Sequence, residues 1–161
     1  MKRVNNILWK ISPKKIETLV ANLRKRNKKI VFTNGVFDIL HYGHVDYLAK
    51  ARRLGDILIV GLNTDSSVRK FKAKGRPIQS EKDRARILAA LKPVDYVILF
   101  GETTPDRLIR LVMPDVLVKG ADYKISEIVG AEFVKSYGGV VKRIRVVPGR
   151  STSQIVSKLG L

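Results

Sequence analysis

From residue 30 onward the chain alternates short, unbroken apolar runs with longer segments of helical spacing. The runs fall at 30–32, 57–60, 96–99, 116–118 and 140–147, and they are rich in valine and isoleucine. A run that is apolar without alternation predicts a strand buried on both faces. The segments between them, at 43–54, 81–91, 105–111, 126–137 and 152–159, predict helices. Strand–helix alternation predicts an α/β fold, a Rossmann-like doubly wound parallel sheet of about five strands with helices on both faces.

Ligands of such sheets bind beyond the carboxyl ends of the strands, near the switch in strand order. That rule puts residues 33–44, 63–77, 119–123 and 148–153 on one functional rim. Residues 1–28 predict an accessory N-terminal helical segment starting near Ser12-Pro13. Residues 29–161 are expected to form the main domain. No repeat or low-complexity linker interrupts them.

Composition narrows the class. The 161 residues are 45% hydrophobic, a globular balance with no cysteine for disulfides or thiolate metal sites. No apolar run approaches the roughly 18 residues of a membrane helix, and the basic N-terminus lacks the apolar core of a secretory signal. A cytoplasmic location and no membrane partner are therefore expected. Lysine plus arginine count 32 against 14 acids, a net charge of +18. This balance suits a polyanionic partner: nucleic acid, or a small phosphate-rich substrate. It also suits a merely solvated surface.

Candidate chemistry concentrates in Asn34-Gly35-Val36-Phe37-Asp38-Ile39-Leu40-His41-Tyr42-Gly43-His44, where the first strong strand turns into the next helix. Both histidines of the chain lie here, three residues apart. Gly43 between them would let a phosphate approach the backbone. A helix start offers free N–H groups and a positive dipole end to an anion. Taken alone, His41 and His44 also read as ordinary polar helix-start residues. A metal site is less well supported, since no carboxylate cluster accompanies them.

The full pattern resembles the Gly-x-Phe-Asp-x-x-His-x-Gly-His signature of the nucleotidyltransferase superfamily related to class I aminoacyl-tRNA synthetases. Gly35, Phe37, Asp38, His41, Gly43 and His44 match every fixed position. The resemblance covers roughly residues 29–161. It implies that His41 and His44 hold nucleotide phosphates and stabilise charge in the transition state, with Phe37 and Asp38 partly structural. Asn34 and Val36 join the nucleotide-binding turn. Asn63-Thr64-Asp65 matches a segment of the small cytidylyltransferases, and Asn63 and Asp65 are expected at the substrate. The cationic loop Lys70-Phe71-Lys72-Ala73-Lys74-Gly75-Arg76-Pro77 could close over a triphosphate or a sugar phosphate. Lys72 is assigned there to the substrate, and Lys74 and Arg76 to catalysis; a solvated basic loop is the bland alternative. Arg84, in an Arg-x-x-Ile-Leu pattern, commonly reaches the substrate side in the family. Lys119, Gly120 and Asp122 occupy the position that embraces base and ribose. Arg150, Ser151, Thr152 and Ser153 resemble the family's second phosphate motif. Their local reading is a helix cap.

Within the superfamily, several stretches resemble the adenylyltransferase domain of bifunctional bacterial heptose enzymes. They are Thr33 through His41, Gly75-Arg76-Pro77-Ile78, Val118 through Tyr123, Val129-Gly130-Ala131-Glu132 and Tyr137-Gly138-Gly139. That likeness implies transfer of AMP from ATP to D-glycero-β-D-manno-heptose 1-phosphate, giving ADP-heptose and pyrophosphate for lipopolysaccharide core or surface glycans. It implies Mg²⁺ held mainly by phosphates, with no all-protein metal cage. It leaves a homodimer open and expects the heptose kinase on a separate chain. A cytidylyltransferase acting on glycerol 3-phosphate or another alcohol phosphate is the related alternative. Against it, Val147-Pro148-Gly149-Arg150 replaces the Arg-Thr-Glu-Gly-Ile of the glycerol-3-phosphate enzymes. A basic nucleic-acid-binding protein is the alternative from another class. It would leave the histidine motif unexplained, and no nucleic-acid partner is expected.

Overall fold

The computed structural model describes residues 6–8, 12–150 and 152–158. Six parallel strands form one sheet in the order β1-β4-β3-β2-β5-β6. They are β1 (Ile7–Leu8), β2 (Ile30–Gly35), β3 (Ile57–Asn63), β4 (Tyr96–Phe100), β5 (Val116–Gly120) and β6 (Val140–Ile144). The chain enters the central part of the sheet at β2, winds outward through β3 and β4, then crosses back to β5 and β6. The order therefore reverses between β2 and β5, and a crevice opens beyond their carboxyl ends.

The five predicted strands are all present. The sixth, β1, was not read from the sequence because it is two residues long and carries no periodic signal. Ile7 and Leu8 pair with Val97 and Ile98 at the sheet edge. Helix α1 (Pro13–Lys25) starts with Ser12 as its N-cap and proline in its first turn. It buries Ile16, Val20 and Leu23 against one face of the sheet.

The central strands are buried on both sides, as their unbroken apolar runs require. Helices α2 (Tyr42–Arg52) and α4 (Glu81–Ala90) cover the face that carries Val31, Leu58, Val60 and Val97. Helices α1, α5 (Asp106–Val112) and α6 (Ala131–Ser136) cover the face that carries Ile30, Phe32, Ile59 and Ile98.

Two boundaries differ from expectation for local reasons. The predicted helix at 126–137 breaks into a 3-10 turn (Ile125–Glu127) and α6. Gly130 between them has φ of 81°, and a β-carbon there would meet Ile109 at 2.8 Å. Strand β6 ends at Ile144, short of the apolar 146–147 pair, because its pairing with β5 ends at Gly120. A short helix, α3 (Asp65–Val68), adds to the prediction; its N-cap Thr64 accepts a hydrogen bond from the Ser67 amide. The last helix, α7 (Thr152–Lys158), follows the expected span within the described residues.

Candidate active site

Beyond the carboxyl ends of β2 and β5 lies one cleft with two lobes. The larger is about 550 Å³ and the smaller about 400 Å³. Asn34, Gly35, Val36, Phe37, His44, Lys72, Lys119, Tyr123 and Thr152 line both and make the shared floor. His41, Gly43, Asp122 and Arg150 face only the smaller lobe. Asp38, Asn63 and Arg76 face only the larger one. The four segments expected to share a rim are thus brought together.

The two histidines form a unit. His41 is the N-cap of α2, and its ring stacks on His44 with centroids 3.9 Å apart at 26°. The Phe37 ring is tilted against His44, with centroids 5.2 Å apart. Burial, with the neighbouring His41 ring, pushes the His44 pKa down to about 4; the nearby Ile39 carbonyl acts in the opposite sense. Burial and the Arg150 cation lower that of His41 as well. Both Nδ1 atoms are buried without a hydrogen-bond partner. Two imidazoles that line the cleft beside a helix start are equipped to donate to an anion there.

Gly43 serves this arrangement in a way the sequence did not suggest. A β-carbon there would meet the His41 ring at 3.0 Å and the Arg150 carbonyl at 3.2 Å. Those two groups fill the side-chain position, while Gly43 itself still lines the smaller lobe. Gly120 is similar: the Asp122 carboxylate occupies the space a side chain would need. Gly35 leaves room for the Phe37 ring, and Phe37 itself sits at φ of 48°.

Asp38 is buried in the wall of the larger lobe. Its carboxylate accepts from Arg76 Nε at 2.6 Å, the Ile78 amide at 2.8 Å and the Gln79 amide at 2.9 Å. Burial alone would raise its pKa, but these amides and the guanidinium outweigh it and lower the value. Asp38 thereby anchors the end of the basic loop. Arg76 lines the larger lobe with its Nε committed to that anchor.

Arg84 does not reach the substrate cleft, contrary to expectation. Its side chain is fully buried beneath the floor. It donates to the Gln79 carbonyl at 3.1 Å, the Val36 carbonyl at 2.6 Å and Asp65 Oδ1 at 2.7 Å. Asp65 is likewise drawn into this tie and lines neither lobe. Four helical residues place it in α3, where the Arg84 charge needs it. Lys74 also lies outside both lobes, exposed on its loop. Asn63 does line the larger lobe, held by a 3.0 Å bond from its Nδ2 to Ser67 Oγ.

Lys119 is the most buried cation of the floor. Burial pulls its pKa down to about 8, while Asp122 opposes the shift. Its Nζ donates to the Asn34 carbonyl at 3.3 Å and lies 5.6 Å from the Tyr123 ring centroid. Thr152 donates from its hydroxyl to the Ile39 carbonyl at 3.3 Å, tying α7 to the histidine turn. Ser151 and the side chain of Ser153 lie outside the described residues.

Several lining residues were not anticipated. Tyr47 lies under the smaller lobe, its hydroxyl sharing a buried 2.8 Å hydrogen bond with Thr33. Thr103, Thr104 and Glu127 line the larger lobe, beside Phe71 and Tyr123 of the expected rim segments. Thr103 and Thr104 follow β4, so the carboxyl-end rule that selected the other segments points to them too. Glu127 carries no local signal of this kind.

Among the described residues no three His, Asp or Glu side chains are grouped to hold a metal ion. Nor is any described helix long and apolar enough to cross a membrane.

Comparison with known proteins agrees with this geometry. The cytidylyltransferase-like family model matches residues 32–157. Bifunctional protein HldE of Citrifermentans bemidjiense is 57% identical over 140 residues, 87% of this chain and 29% of that one. Bifunctional protein HldE of Wolinella succinogenes is 54% identical over 149 residues, 92% of this chain and 31% of that one. The chain thus spans about three tenths of the length of these curated relatives. A lipopolysaccharide core biosynthesis protein from Thermoplasma volcanium has a solved structure that superposes with a TM-score of 0.59. It is 35% identical, over 74% of this chain and 97% of that one. Pantoate-beta-alanine ligase from Francisella tularensis, 18% identical with a TM-score of 0.59, shares the fold. The histidine turn, the doubly wound sheet and the family match together make this chain a member of the cytidylyltransferase-like family of nucleotidyltransferases.

Proposed function

We propose that the cleft transfers AMP from ATP to D-glycero-β-D-manno-heptose 1-phosphate, releasing pyrophosphate and forming ADP-heptose. The observation that carries this reading is the stacked His41–His44 pair at the junction of two lobes. One lobe suits a nucleotide and the other a phosphorylated acceptor. Similarity to the bifunctional heptose enzymes supports the choice of nucleotide and sugar.

In this reading a phosphate oxygen of the sugar attacks the α-phosphorus of ATP. A new P–O bond forms, the bond between the α-phosphorus and its bridging oxygen breaks, and pyrophosphate leaves with that electron pair. No covalent enzyme intermediate is needed, because the attacking phosphate is already ionised near neutral pH. Catalysis rests on positioning and on donors aimed at the developing charge. His41 and His44 donate to phosphate oxygens. Lys119 and Lys72 supply cations on the shared floor, and Arg150 does so in the smaller lobe.

Mg²⁺, when bound, would neutralise phosphate charge in this reading. Asp38 and Asp65 are engaged by arginines, which leaves Asp122 as the carboxylate lining the smaller lobe. Such a donor set fits an ion that keeps most of its ligands as phosphate oxygens and water. We place the reaction in the cytoplasm, with the sugar 1-phosphate supplied by a separate phosphorylating activity.

The test is pyrophosphate release from each of the four nucleoside triphosphates with heptose 1-phosphate, mannose 1-phosphate or glycerol 3-phosphate. ATP with heptose 1-phosphate is expected to be the best pair. Preference for CTP with glycerol 3-phosphate would overturn the proposal.

A further inference from the structure

The larger lobe extends past the groups that the transfer step uses. Thr103 and Thr104 after β4 and Glu127 in the 3-10 turn line the wall that the smaller lobe does not share. Charge is divided unevenly between this wall and the floor. Lys72, Lys119 and Arg76 are the cations of the lobe, and Lys72 and Lys119 belong to the floor shared with His44. Its two carboxylates are Asp38, neutralised by Arg76, and Glu127, which has no cation bonded to it among the described residues.

This polarity orients an acceptor. A phosphate beside Glu127 would meet like charge, whereas beside the floor it meets cations. A hydroxyl beside Glu127 finds a charged acceptor, and charged hydrogen bonds are the stronger ones. Threonine hydroxyls both donate and accept, so they complement a polyol. One Glu127 oxygen accepts from the Lys124 amide at 3.1 Å. An ionised carboxylate has about four lone-pair sites, so this cap leaves it room for hydroxyls.

We propose that Glu127, with Thr103 and Thr104, reads the sugar hydroxyls remote from the acceptor's phosphate and so determines acceptor specificity. The inference rests on the reading of the cleft as one that joins a nucleotide to a sugar phosphate. The cap raises a competing structural role. Glu127→Gln keeps an oxygen for the Lys124 amide and removes the charge, whereas Glu127→Ala removes both.

The experiment measures initial rates of pyrophosphate release for the wild type, Glu127→Gln, Glu127→Ala and Thr103→Val. The acceptors, heptose 1-phosphate and mannose 1-phosphate (which lacks the seventh carbon and its hydroxyl), are varied with ATP and Mg²⁺ saturating, and ATP is varied in a second series with heptose 1-phosphate saturating. Glu127→Ala is expected to raise KM for heptose 1-phosphate about tenfold or more, consistent with losing a hydrogen bond to a charged group. Glu127→Gln is expected to raise it by a smaller factor with the melting temperature unchanged. In both, KM for ATP stays near the wild-type value and the preference for heptose over mannose shrinks. An unchanged heptose-to-mannose ratio in both Glu127 variants would overturn the inference alone, as would an equal rise in KM for ATP. A wild type that releases pyrophosphate with no sugar 1-phosphate would overturn the functional reading, and this inference with it.

Discussion

The Arg84 guanidinium, wholly buried, donates to the Val36 carbonyl at 2.6 Å and so holds the cleft floor from below. The same group bonds the Gln79 carbonyl, and the Gln79 amide bonds Asp38. The end of the basic loop and the turn leading to the histidines are therefore fixed to one another. Arg84→Lys cannot reproduce a fork that reaches three partners. Arg84→Ala removes one side of this ion pair outright and is expected to cost about 3 kcal/mol of stability. Chemical unfolding measures this; a loss below about 0.5 kcal/mol, typical of an ordinary surface change, would show that the tie is dispensable.

His41→Ala and His44→Ala are each expected to lower kcat about 100-fold or more, the scale for losing one transition-state donor. The rings stack on one another, so the double variant should lose less than the product of the single losses. Turnover kinetics on preparations with native circular dichroism decide the matter. Near-normal rates in both single variants would remove the pair from the chemistry.

Acid should weaken the fold partly through His44. Its folded pKa, about 4, lies below the ordinary histidine value of 6.5. Between those values the unfolded chain binds more protons than the folded one, so stability rises with pH across that window. The contribution is fully present above pH 6.5 and is lost as pH falls toward 4. His44→Asn should therefore show a smaller drop in unfolding free energy between pH 7 and pH 4.5 than the wild type. Equal drops would contradict the burial argument.

Gly43→Ala inserts a β-carbon at 3.0 Å from the His41 ring and 3.2 Å from the Arg150 carbonyl. Backbone φ at Gly43 is ordinary, so the helix itself accepts alanine. The neighbours must shift by a few tenths of an ångström, and the His41 ring is the one that can. Catalytic geometry is steeply sensitive to such displacements, and a fall in kcat of about tenfold is expected. Thermal unfolding should change far less than the rate. A stability loss with kcat intact would mean that the ring position is not used in catalysis.

Thr152 bonds the Ile39 carbonyl, five residues before His44. Thr152→Val keeps the shape and removes the hydroxyl, whereas Thr152→Ser keeps it. The valine variant is expected to raise KM for ATP several-fold, and the serine variant to stay close to wild type. Loss of one ordinary hydrogen bond limits the stability change to about 1 kcal/mol. ATP kinetics and melting curves on the same preparations separate the two effects. A change in melting temperature alone would make Thr152 purely structural.

The sequence by itself determined the central strands, because strands buried on both faces must be apolar throughout and such runs are visible without a structure. It also determined the histidine turn, since all the fixed residues of that motif lie within ten positions at one strand–helix junction. What Asp38, Asp65 and Arg84 do was decided by tertiary structure. A buried arginine and a substrate-binding arginine look alike in sequence; only packing shows that Arg84 spends its donors on Val36, Gln79 and Asp65. At Gly43 and Gly120 neighbouring groups take the space a side chain would need, which local sequence does not show. Edge strand β1 was invisible because two residues carry no period, and it exists through pairing with Val97 and Ile98. Glu127 faces the cleft for a similar reason: the winding of the sheet puts the 3-10 turn after β5 on the same lobe as Thr103 and Thr104 after β4, residues more than twenty positions away. Local periodicity records which side of an element is buried, but which distant groups meet there follows from how the sheet is wound.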